Sequence, residues 1–198
     1  MTDRDGPRQD KGVEVARELD LGAAPVAPPL DFRAVFEEGF EGVVHSLRRL
    51  GVREADLEDL AHDVFVVAYR RLADYDPTRP VRAWLFGIAL RLAAAYRRRA
   101  HRRLEVADAD AAEVVDPQPL AEGMLADEQR RQLVLEALEA LDLDKRAVLV
   151  MHDLEGHPMP IVAETLEVPL NTAYSRLRLA RDQFKTAVHR LRLRRGEP

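Results

Sequence analysis

Along most of the chain, apolar residues recur at intervals of three and four, the spacing of one buried face of an α-helix. The first run covers residues 31–50 and stops at Gly51, a residue type that commonly ends helices. A second run continues through Leu72 and breaks at the prolines of the segment 75–80, which cannot continue a helix. Pro80 can serve as the first residue of a third helix. We therefore predict three packed helices here.

A second group of amphipathic segments lies in the C-terminal third. Apolar residues with helical spacing occur within 134–141, 148–154 and 160–166, and a longer helix follows from about Asn171. No segment alternates apolar and polar residues for long enough to predict a strand. The predicted fold class is all-α, with two small helical domains.

An acidic segment separates the two groups. Residues 104–128 contain eight acids, two prolines and no Lys or Arg, a composition typical of a solvated, flexible linker. Residues 1–29 mix acids and bases and then become rich in Ala and Pro. They lack the apolar run of a signal peptide or membrane span, so we predict a disordered leader. The predicted domains are therefore residues 30–103 and 129–195.

Composition limits the possible functions. Hydrophobic residues make up 46% of the 198 residues and charged residues 33%, which indicates packed cores under a charged surface. The absence of cysteine excludes disulfides and thiolate metal sites and fits a reducing compartment, so we expect a cytoplasmic protein. The net charge of -5 has the wrong sign for coating nucleic acid. Any DNA binding must therefore come from segregated basic patches.

One basic patch ends the third predicted helix, where residues 91–103 contain six arginines and no acid. A solvated helix end favoured by the helix dipole is one interpretation, and phosphate binding is the other. Trp84, Phe86 and Tyr96 are interleaved with these arginines, which favours single-stranded nucleic acid because bases stack on rings. Trp84 and Phe86 occupy positions that more often belong to a core, so Tyr96 is the better stacking candidate.

A helix-turn-helix is predicted within residues 155–176. Ala163 is small enough to let two helices approach, and Asn171 is expected to cap the second helix. The first turns of that helix would then meet base edges and phosphates in the major groove. A plain helical hairpin is the alternative. The candidate duplex-binding residues are Asn171, Thr172, Tyr174, Ser175, Arg176 and Arg178.

In order and in both halves, these segments resemble the extracytoplasmic-function (ECF) group of the sigma-70 family of RNA polymerase sigma factors. Residues 56–65 are similar to the acidic helix by which such factors hold the clamp helices of the largest polymerase subunit. Residues 82–89, followed by the arginines, resemble the helix that reads and opens the minus-ten element. Residues 154–177 resemble the domain that reads the minus-thirty-five element. The resemblance covers roughly residues 31–191.

The resemblance implies a transcription initiation factor rather than an enzyme, with no cofactor or metal. It implies core RNA polymerase (largest and second-largest subunits), promoter DNA and an anti-sigma factor as partners, without membrane insertion. The implied polymerase-binding residues are Asp56, Glu58, Asp59, His62 and Asp63. The implied minus-ten residues are Tyr75, Trp84, Arg91, Tyr96, Arg97, Arg98, Arg99 and Arg102. The loop 75–80 is expected to help form a pocket for an unstacked base.

Some positions depart from the family pattern. Arg91 stands where many members carry an asparagine that helps read the minus-ten bases, and Ala95 stands where an aspartate is frequent. The family pattern therefore does not predict the base preference. Glu167 occupies a turn position where glycine is usual, which costs strain if that residue needs a positive φ angle. A turn of different geometry is the alternative.

Two other functions fit parts of the sequence. A stand-alone regulator would bind an operator through the helix-turn-helix and use its N-terminal domain to dimerise or sense a ligand. A nucleic-acid hydrolase would use His152, Asp153 and His157 as metal ligands. Against the hydrolase, His152 and His157 are five residues apart and share no helical face, and the chain contains no glycine-rich phosphate loop.

Overall fold

The computed structural model describes residues 31–106 and 122–196, and within those ranges it contains seven α-helices and no strand. The all-α prediction is confirmed. The predicted leader and residues 107–121 of the predicted linker lie outside the described residues. The first unit consists of α1 (Phe32–Arg49), α2 (Leu57–Arg70) and α3 (Val81–Val106). The second consists of α4 (Glu122–Glu139), α5 (Leu143–Leu149), α6 (Met159–Thr165) and α7 (Leu170–Arg195).

Local signals set the ends of the first-unit helices. The Asp31 carboxylate accepts a 3.0 Å hydrogen bond from the Arg33 amide and so caps α1. Gly51 has a φ angle of 89°, a conformation that glycine adopts without a steric penalty, and it ends the same helix. Pro80 immediately precedes α3 instead of being its first residue, and its carbonyl accepts from the Ala83 amide at 3.0 Å.

Both ends of the predicted linker are helical. α3 continues to Val106 and α4 begins at Glu122, so only the middle of the acidic segment lies between helices. Within α4, Asp127 pairs with Arg130 at 2.8 Å and Glu128 with Arg131 at 3.7 Å. Such i,i+3 pairs stabilise a helix surface. The composition of the 25-residue segment as a whole therefore did not reveal that Asp127 and Glu128 belong to a helix.

Aromatic rings fill the core of the first unit. The Phe65 ring on α2 lies 4.8 Å from the Phe36 ring and 5.9 Å from the Phe40 ring, centroid to centroid, so it joins α1 to α2. Such contacts add to the hydrophobic gain of burial. Leu47 and Phe86 complete this core, and each is at most 2% exposed.

Small residues bring the helices of the second unit together. Ala163 on α6 and Ala173 and Ala180 on α7 are buried, and α7 packs against α4, α5 and α6. The expectation that Ala163 lies between close helices is confirmed. After α5 the chain makes a π-helical turn, Val150–Leu154, in which the Glu155 amide donates to the Val150 carbonyl at 2.9 Å.

The two units also pack against each other. α6 lies against α3, and α4 contacts α1. The buried apolar residues of both units form one continuous cluster. The described helices are therefore held by contacts within each unit and by a junction between the units.

Candidate polymerase and nucleic-acid interfaces

An acidic face runs along the first half of α2. Glu58 and His62, and likewise Asp59 and Asp63, are four residues apart, so all four side chains lie on one side of the helix. All four are exposed, while the apolar residues between them are buried. No ion pair within the described residues neutralises Glu58, Asp59 or Asp63. This face therefore presents uncompensated negative charge to a basic partner.

Asp56 differs from the other predicted polymerase-binding residues. It is half-buried, and its Oδ2 accepts a 2.6 Å hydrogen bond from the Tyr96 hydroxyl and a 3.1 Å bond from Arg53 Nη2. The carboxylate thus ties the turn before α2 to the middle of α3. A structural role accounts for Asp56 here, and its contact with polymerase stays a prediction.

The same hydrogen bond changes the interpretation of Tyr96. Its ring is half-buried, and its hydroxyl both donates to Asp56 and accepts from Arg53 Nε at 2.9 Å. A ring fixed in this way is poorly placed to leave the helix surface and stack on a base. In this structure Tyr96 holds α3 in place.

The aromatic residues at the start of α3 are divided between core and surface. Phe86 is 2% exposed and belongs to the core. Trp84 is half-buried, and its ring lies 4.9 Å from that of Tyr75, centroid to centroid. The Tyr75 hydroxyl donates to the Arg79 carbonyl at 2.6 Å, which holds the loop 75–80 against the helix. Trp84 and Tyr75 therefore form a partly open aromatic pair beside this loop.

The loop itself is ordered by a short hydrogen-bonded turn. Asp76 accepts from the Thr78 amide at 2.9 Å and from the Thr78 hydroxyl at 2.7 Å. Both bonds stabilise the ionised carboxylate and hold its pKa below the ordinary value. The loop 75–80 thus has a defined conformation beside the aromatic pair.

The basic end of α3 is open. Arg98, Arg99 and Arg102 are exposed, and among the described residues none of them pairs with a carboxylate. Arg98 and Arg102 are four residues apart and lie one above the other on the helix. Arg97 is half-buried and donates to the Leu50 carbonyl at 3.3 Å, so it differs from its neighbours. Three of the predicted minus-ten arginines are therefore free to meet phosphates.

The helix-turn-helix is formed by α6, a short turn and the start of α7. Glu167 in the turn has a φ angle of 55°, in the left-handed region that disfavours residues with a Cβ. The turn closes with a 3.0 Å hydrogen bond from the Val168 amide to the Ala163 carbonyl. Of the two turn geometries left open by the sequence, the structure therefore has the one with a positive φ angle at this non-glycine position.

The expected cap of α7 is wrong. The helix begins at Leu170, and the cap position is Pro169, whose carbonyl accepts from the Ala173 amide at 3.0 Å. Proline already holds the extended conformation that precedes a helix, so the helix starts one residue earlier than Asn171. The Asn171 side chain is exposed and makes no capping hydrogen bond.

The predicted duplex-binding residues of α7 are not equally available. Tyr174, Ser175 and Arg178 are exposed, whereas Thr172 is half-buried. Arg176 is half-buried and pairs with Asp144 on α5 at 2.9 Å. Sequence analysis missed this pair because Asp144 on α5 and Arg176 on α7 are separated by α6 and no spacing rule connects them. It also missed Leu170, which is 42% exposed at the first position of the helix.

The junction between the units contains a largely buried carboxylate, that of Glu155, which sequence analysis did not identify. Glu155 Oε1 accepts a 2.7 Å hydrogen bond from the Ser46 hydroxyl and lies 3.8 Å from Arg49. Burial raises the pKa of the Glu155 carboxyl, although Ser46 and Arg49 oppose that shift. Burial also lowers the pKa of His157, whose Nε2 is 3.7 Å from Glu155. Ser46 and Glu155 are 109 positions apart, so sequence spacing could not link them.

The three residues of the hydrolase alternative have other partners. The His152 Nδ1 lies 2.9 Å from the His157 carbonyl oxygen, and Arg181 donates two hydrogen bonds to Asp153, at 2.7 and 2.8 Å. In the part of the chain that the structure describes, no three His, Asp or Glu side chains are grouped as metal ligands. None of the described helices has the length and apolar character that a membrane span requires.

The structure combines an acidic helix, a helix that carries aromatic residues and arginines, and a helix-turn-helix in one class of helical protein. Comparison with known families assigns the class. Residues 36–103 match the family described as Sigma-70 region 2, and residues 131–184 match Sigma-70, region 4.

Individual relatives agree with these family matches. The chain is 32% identical over 153 residues to the RNA polymerase sigma factor CnrH of Cupriavidus metallidurans. The matched segment covers 74% of this chain and 80% of CnrH. It is 27% identical to the ECF RNA polymerase sigma-E factor of Escherichia coli K12, over 77% of this chain and 84% of that one. The chain belongs to the sigma-70 family, in its ECF group, and is a promoter-directing RNA polymerase sigma factor.

Solved structures show the same fold. CnrH in complex with the cytosolic domain of CnrY superposes with a TM-score of 0.56 at 27% identity, over 80% of this chain and 87% of that one. The sigma factor RpoE of Bartonella quintana in complex with the anti-sigma factor NepR gives a TM-score of 0.67 at 21% identity, over 80% and 97%. The second match bears on the fold alone.

Proposed function

We propose that this factor divides promoter initiation among three helices. The α2 face formed by Glu58, Asp59 and Asp63 binds basic residues of core RNA polymerase. α3 captures the opened minus-ten strand, and α7 enters the major groove of the minus-thirty-five element. This is strand capture by binding, with no bond made or broken, and it takes place in the cytoplasm, where polymerase and promoter lie.

The uncompensated acidic face of α2 is the observation that carries the polymerase assignment. Carboxylates that pair within their own protein would have to lose those partners before binding another. Glu58, Asp59 and Asp63 carry no such cost, because they are exposed and none has an ion-pair partner among the described residues. Opposite charge across an interface mainly sets specificity and association rate.

The minus-ten assignment rests on the contrast between the two ends of α3. At its start, Trp84 and Tyr75 form an aromatic pair beside a structured loop, which suits an unstacked base. At its end, Arg98, Arg99 and Arg102 are free to follow the phosphates of the same strand. Extruding a base costs a few kcal/mol, so both kinds of contact are needed.

The partners of the two structural relatives suggest a regulator. CnrH was solved with the cytosolic domain of CnrY, and RpoE with the anti-sigma factor NepR. We infer that an anti-sigma factor also binds this chain.

Charge reversal of Asp59 tests the polymerase assignment. Asp59→Arg should weaken binding to core polymerase by about a hundredfold, since like charges at an interface cost several kcal/mol. The matched control is Asp182→Arg, which reverses an exposed acid on α7. Affinity is measured by fluorescence anisotropy of labelled full-length protein titrated with core enzyme. Equal affinities for the two variants would refute the assignment of α2.

The stand-alone regulator predicts a different result. A regulator binds duplex operator DNA tightly without polymerase, whereas this factor should select promoters only as part of holoenzyme. Mapping transcripts after overexpression identifies those promoters and supplies the templates. Tight, sequence-specific duplex binding by the free chain, without promoter-specific initiation by holoenzyme, would favour the regulator.

A further inference from the structure

A stripe of exposed side chains runs along the first turns of α7. Leu170, Tyr174 and Arg178 follow one another at intervals of four residues, so their side chains lie on one side of the helix. Leu170 is 42% exposed and Tyr174 is 53% exposed, and Arg178 is exposed as well. The stripe therefore begins with two largely apolar side chains and continues with a cation.

The start of α7 decides where these two side chains project. Because Pro169 occupies the cap position, Leu170 is the first residue of the helix and Tyr174 lies about one turn later. Side chains of a helix lean toward its N-terminus. In a helix-turn-helix, residues near the N-terminus of the second helix contact base edges in the major groove. Leu170 and Tyr174 therefore project from the part of α7 at which this motif meets bases.

Neither side chain belongs to the buried face of α7. That face is formed by Ala173, Leu177 and Ala180. Within the part of the chain that the structure describes, Tyr174 makes no hydrogen bond and no ring contact. Hydrophobic stabilisation grows with the apolar area removed from water, so the exposed parts of both side chains contribute little to folding. They gain that stabilisation only when a partner covers them.

The chemistry of the major groove identifies the partner. Base edges present hydrogen-bond donors and acceptors there, and the apolar group among them is the C5-methyl group of thymine. The side chain of Leu170 has no donor or acceptor, and the ring of Tyr174 is apolar apart from its hydroxyl. Against an edge of guanine or cytosine, these side chains would leave donors and acceptors without partners, which costs free energy. The two side chains therefore favour thymine.

We propose that Leu170 and Tyr174 are specificity-determining residues that read the minus-thirty-five element through thymine methyl groups. The inference rests on the proposed entry of α7 into the major groove. Side chains four residues apart on a helix are about 6 Å apart, and successive base pairs are about 3.4 Å apart. The element therefore contains two thymines one or two base pairs apart, and Arg178 supplies a charged contact beside them.

Replacement of thymine by deoxyuridine tests the methyl contact, because it removes the methyl group and keeps every hydrogen-bonding group of the base. Promoters identified by transcript mapping supply the duplex, with thymine or deoxyuridine throughout the minus-thirty-five element. Holoenzyme affinity for the two duplexes is compared by electrophoretic mobility shift. Deoxyuridine should weaken binding by about fourfold for each methyl group in contact. Equal affinities would overturn the proposal.

Variants of the two side chains show whether they make the methyl contacts. Leu170→Ala combined with Tyr174→Ala should weaken binding to the thymine duplex and abolish the difference between the duplexes. Unfolding in urea should change little, because both side chains lie outside the core. The matched control is Leu193→Ala, which truncates a leucine that is 63% exposed near the other end of α7. It should keep the full difference between the duplexes.

A difference that persists in the double variant would contradict the proposal. The methyl groups would then act through the shape and stiffness of the duplex, and the two side chains would serve another contact. Tyr174→Phe separates the ring from its hydroxyl, because it keeps the apolar surface and removes the group that can bond to a phosphate. This variant should discriminate between the duplexes as the parent does. Loss of discrimination would mean that the hydroxyl, and not the ring, makes the contact.

Failure of this inference and failure of the proposed function give different results. If α7 enters the groove without reading methyl groups, Arg178→Ala weakens promoter binding and deoxyuridine has no effect. If α7 does not bind the element, neither Arg178→Ala nor deoxyuridine changes the affinity. The first result removes the inference alone, and the second removes the proposed role of α7 with it.

Discussion

The two helices assigned to DNA use their arginines differently. Near the end of α3, Arg98, Arg99 and Arg102 are exposed and have no ion-pair partner among the described residues. In α7, Arg176 pairs with Asp144, and Arg181 is bound to Asp153 by two hydrogen bonds. An arginine is available to a phosphate only if its own fold has not already engaged it. The density of basic residues along a helix therefore does not measure its capacity to bind DNA.

The largest expected effect comes from the open arginines of α3. Replacing Arg98, Arg99 and Arg102 together with Ala should weaken binding of the free chain to oligo(dT) by about a hundredfold at low salt. The slope of log affinity against log salt should fall by about 2, since each single-strand phosphate contact contributes about 0.7. Unfolding in urea should be nearly unchanged, because these side chains are exposed. An unchanged salt slope would mean that the single strand does not contact these three arginines.

A smaller effect should separate the arginines of α7. Arg178→Ala should weaken promoter binding by holoenzyme by about tenfold, because Arg178 is exposed and has no ion-pair partner among the described residues. Arg176→Ala should affect promoter binding less and instead lower the free energy of unfolding by up to about 1 kcal/mol, since its partner is Asp144. Electrophoretic mobility shift and urea unfolding of both variants measure the two effects. A greater loss of promoter affinity for Arg176→Ala would mean that the Asp144 pair opens on DNA.

The smallest expected effect is a pH dependence of the stability that the Asp153–Arg181 pair contributes. The hydrogen bonds from Arg181 hold the pKa of the Asp153 carboxyl below its ordinary value. Because this pKa is lower in the folded protein than in the unfolded chain, the ionised carboxylate stabilises the fold. That stability is complete above the pKa of the unfolded chain and is lost as the pH falls through the pKa of the folded protein, from about pH 5 downward. Asp153→Asn should therefore destabilise the protein by less than about 1 kcal/mol at neutral pH.

Urea unfolding of Asp153→Asn and the parent chain at neutral pH and at about pH 3 checks this prediction. The difference in the free energy of unfolding between Asp153→Asn and the parent chain should be smaller at the acidic pH. Asp182→Asn, which removes an exposed acid from the same helix as Arg181, should show no such convergence. A constant difference at both pH values would mean that the pair does not contribute through its charge.

The comparison of α3 with α7 also shows where sequence analysis succeeded. The exposed arginines of α3 follow a purely apolar stripe, so their position at the end of a helix was predictable from the 3.6-residue period. The helical period also predicted that the four residues of the α2 face are exposed, because they alternate with the buried positions of that helix. The Glu167 turn was located from the spacing of the helix-turn-helix, but the sequence left its geometry open, and the structure shows that Glu167 adopts a positive φ angle.

Three features of the structure were not foreseen from the sequence. Stacking of Tyr96 on a base stays a prediction, and its hydroxyl bonds to Asp56, which lies 40 positions away. Asn171 was expected to cap α7, but Pro169 begins the helix instead. The acidic segment was expected to be linker throughout, but its ends continue α3 and begin α4. Only the bond between Tyr96 and Asp56 depends on residues far apart in sequence; the cap and the linker ends were missed within their own segments.

The sequence by itself determined the seven-helix plan, the family and the faces that carry charge, because helix period and side-chain type are local properties of the chain. Only the tertiary structure decided which charges remain available. Pairing depends on distances between helices, as for Arg176 with Asp144 or Glu167 with Arg91. Coulomb interactions depend on separation in space, and residues 76 positions apart in sequence can be in contact after folding.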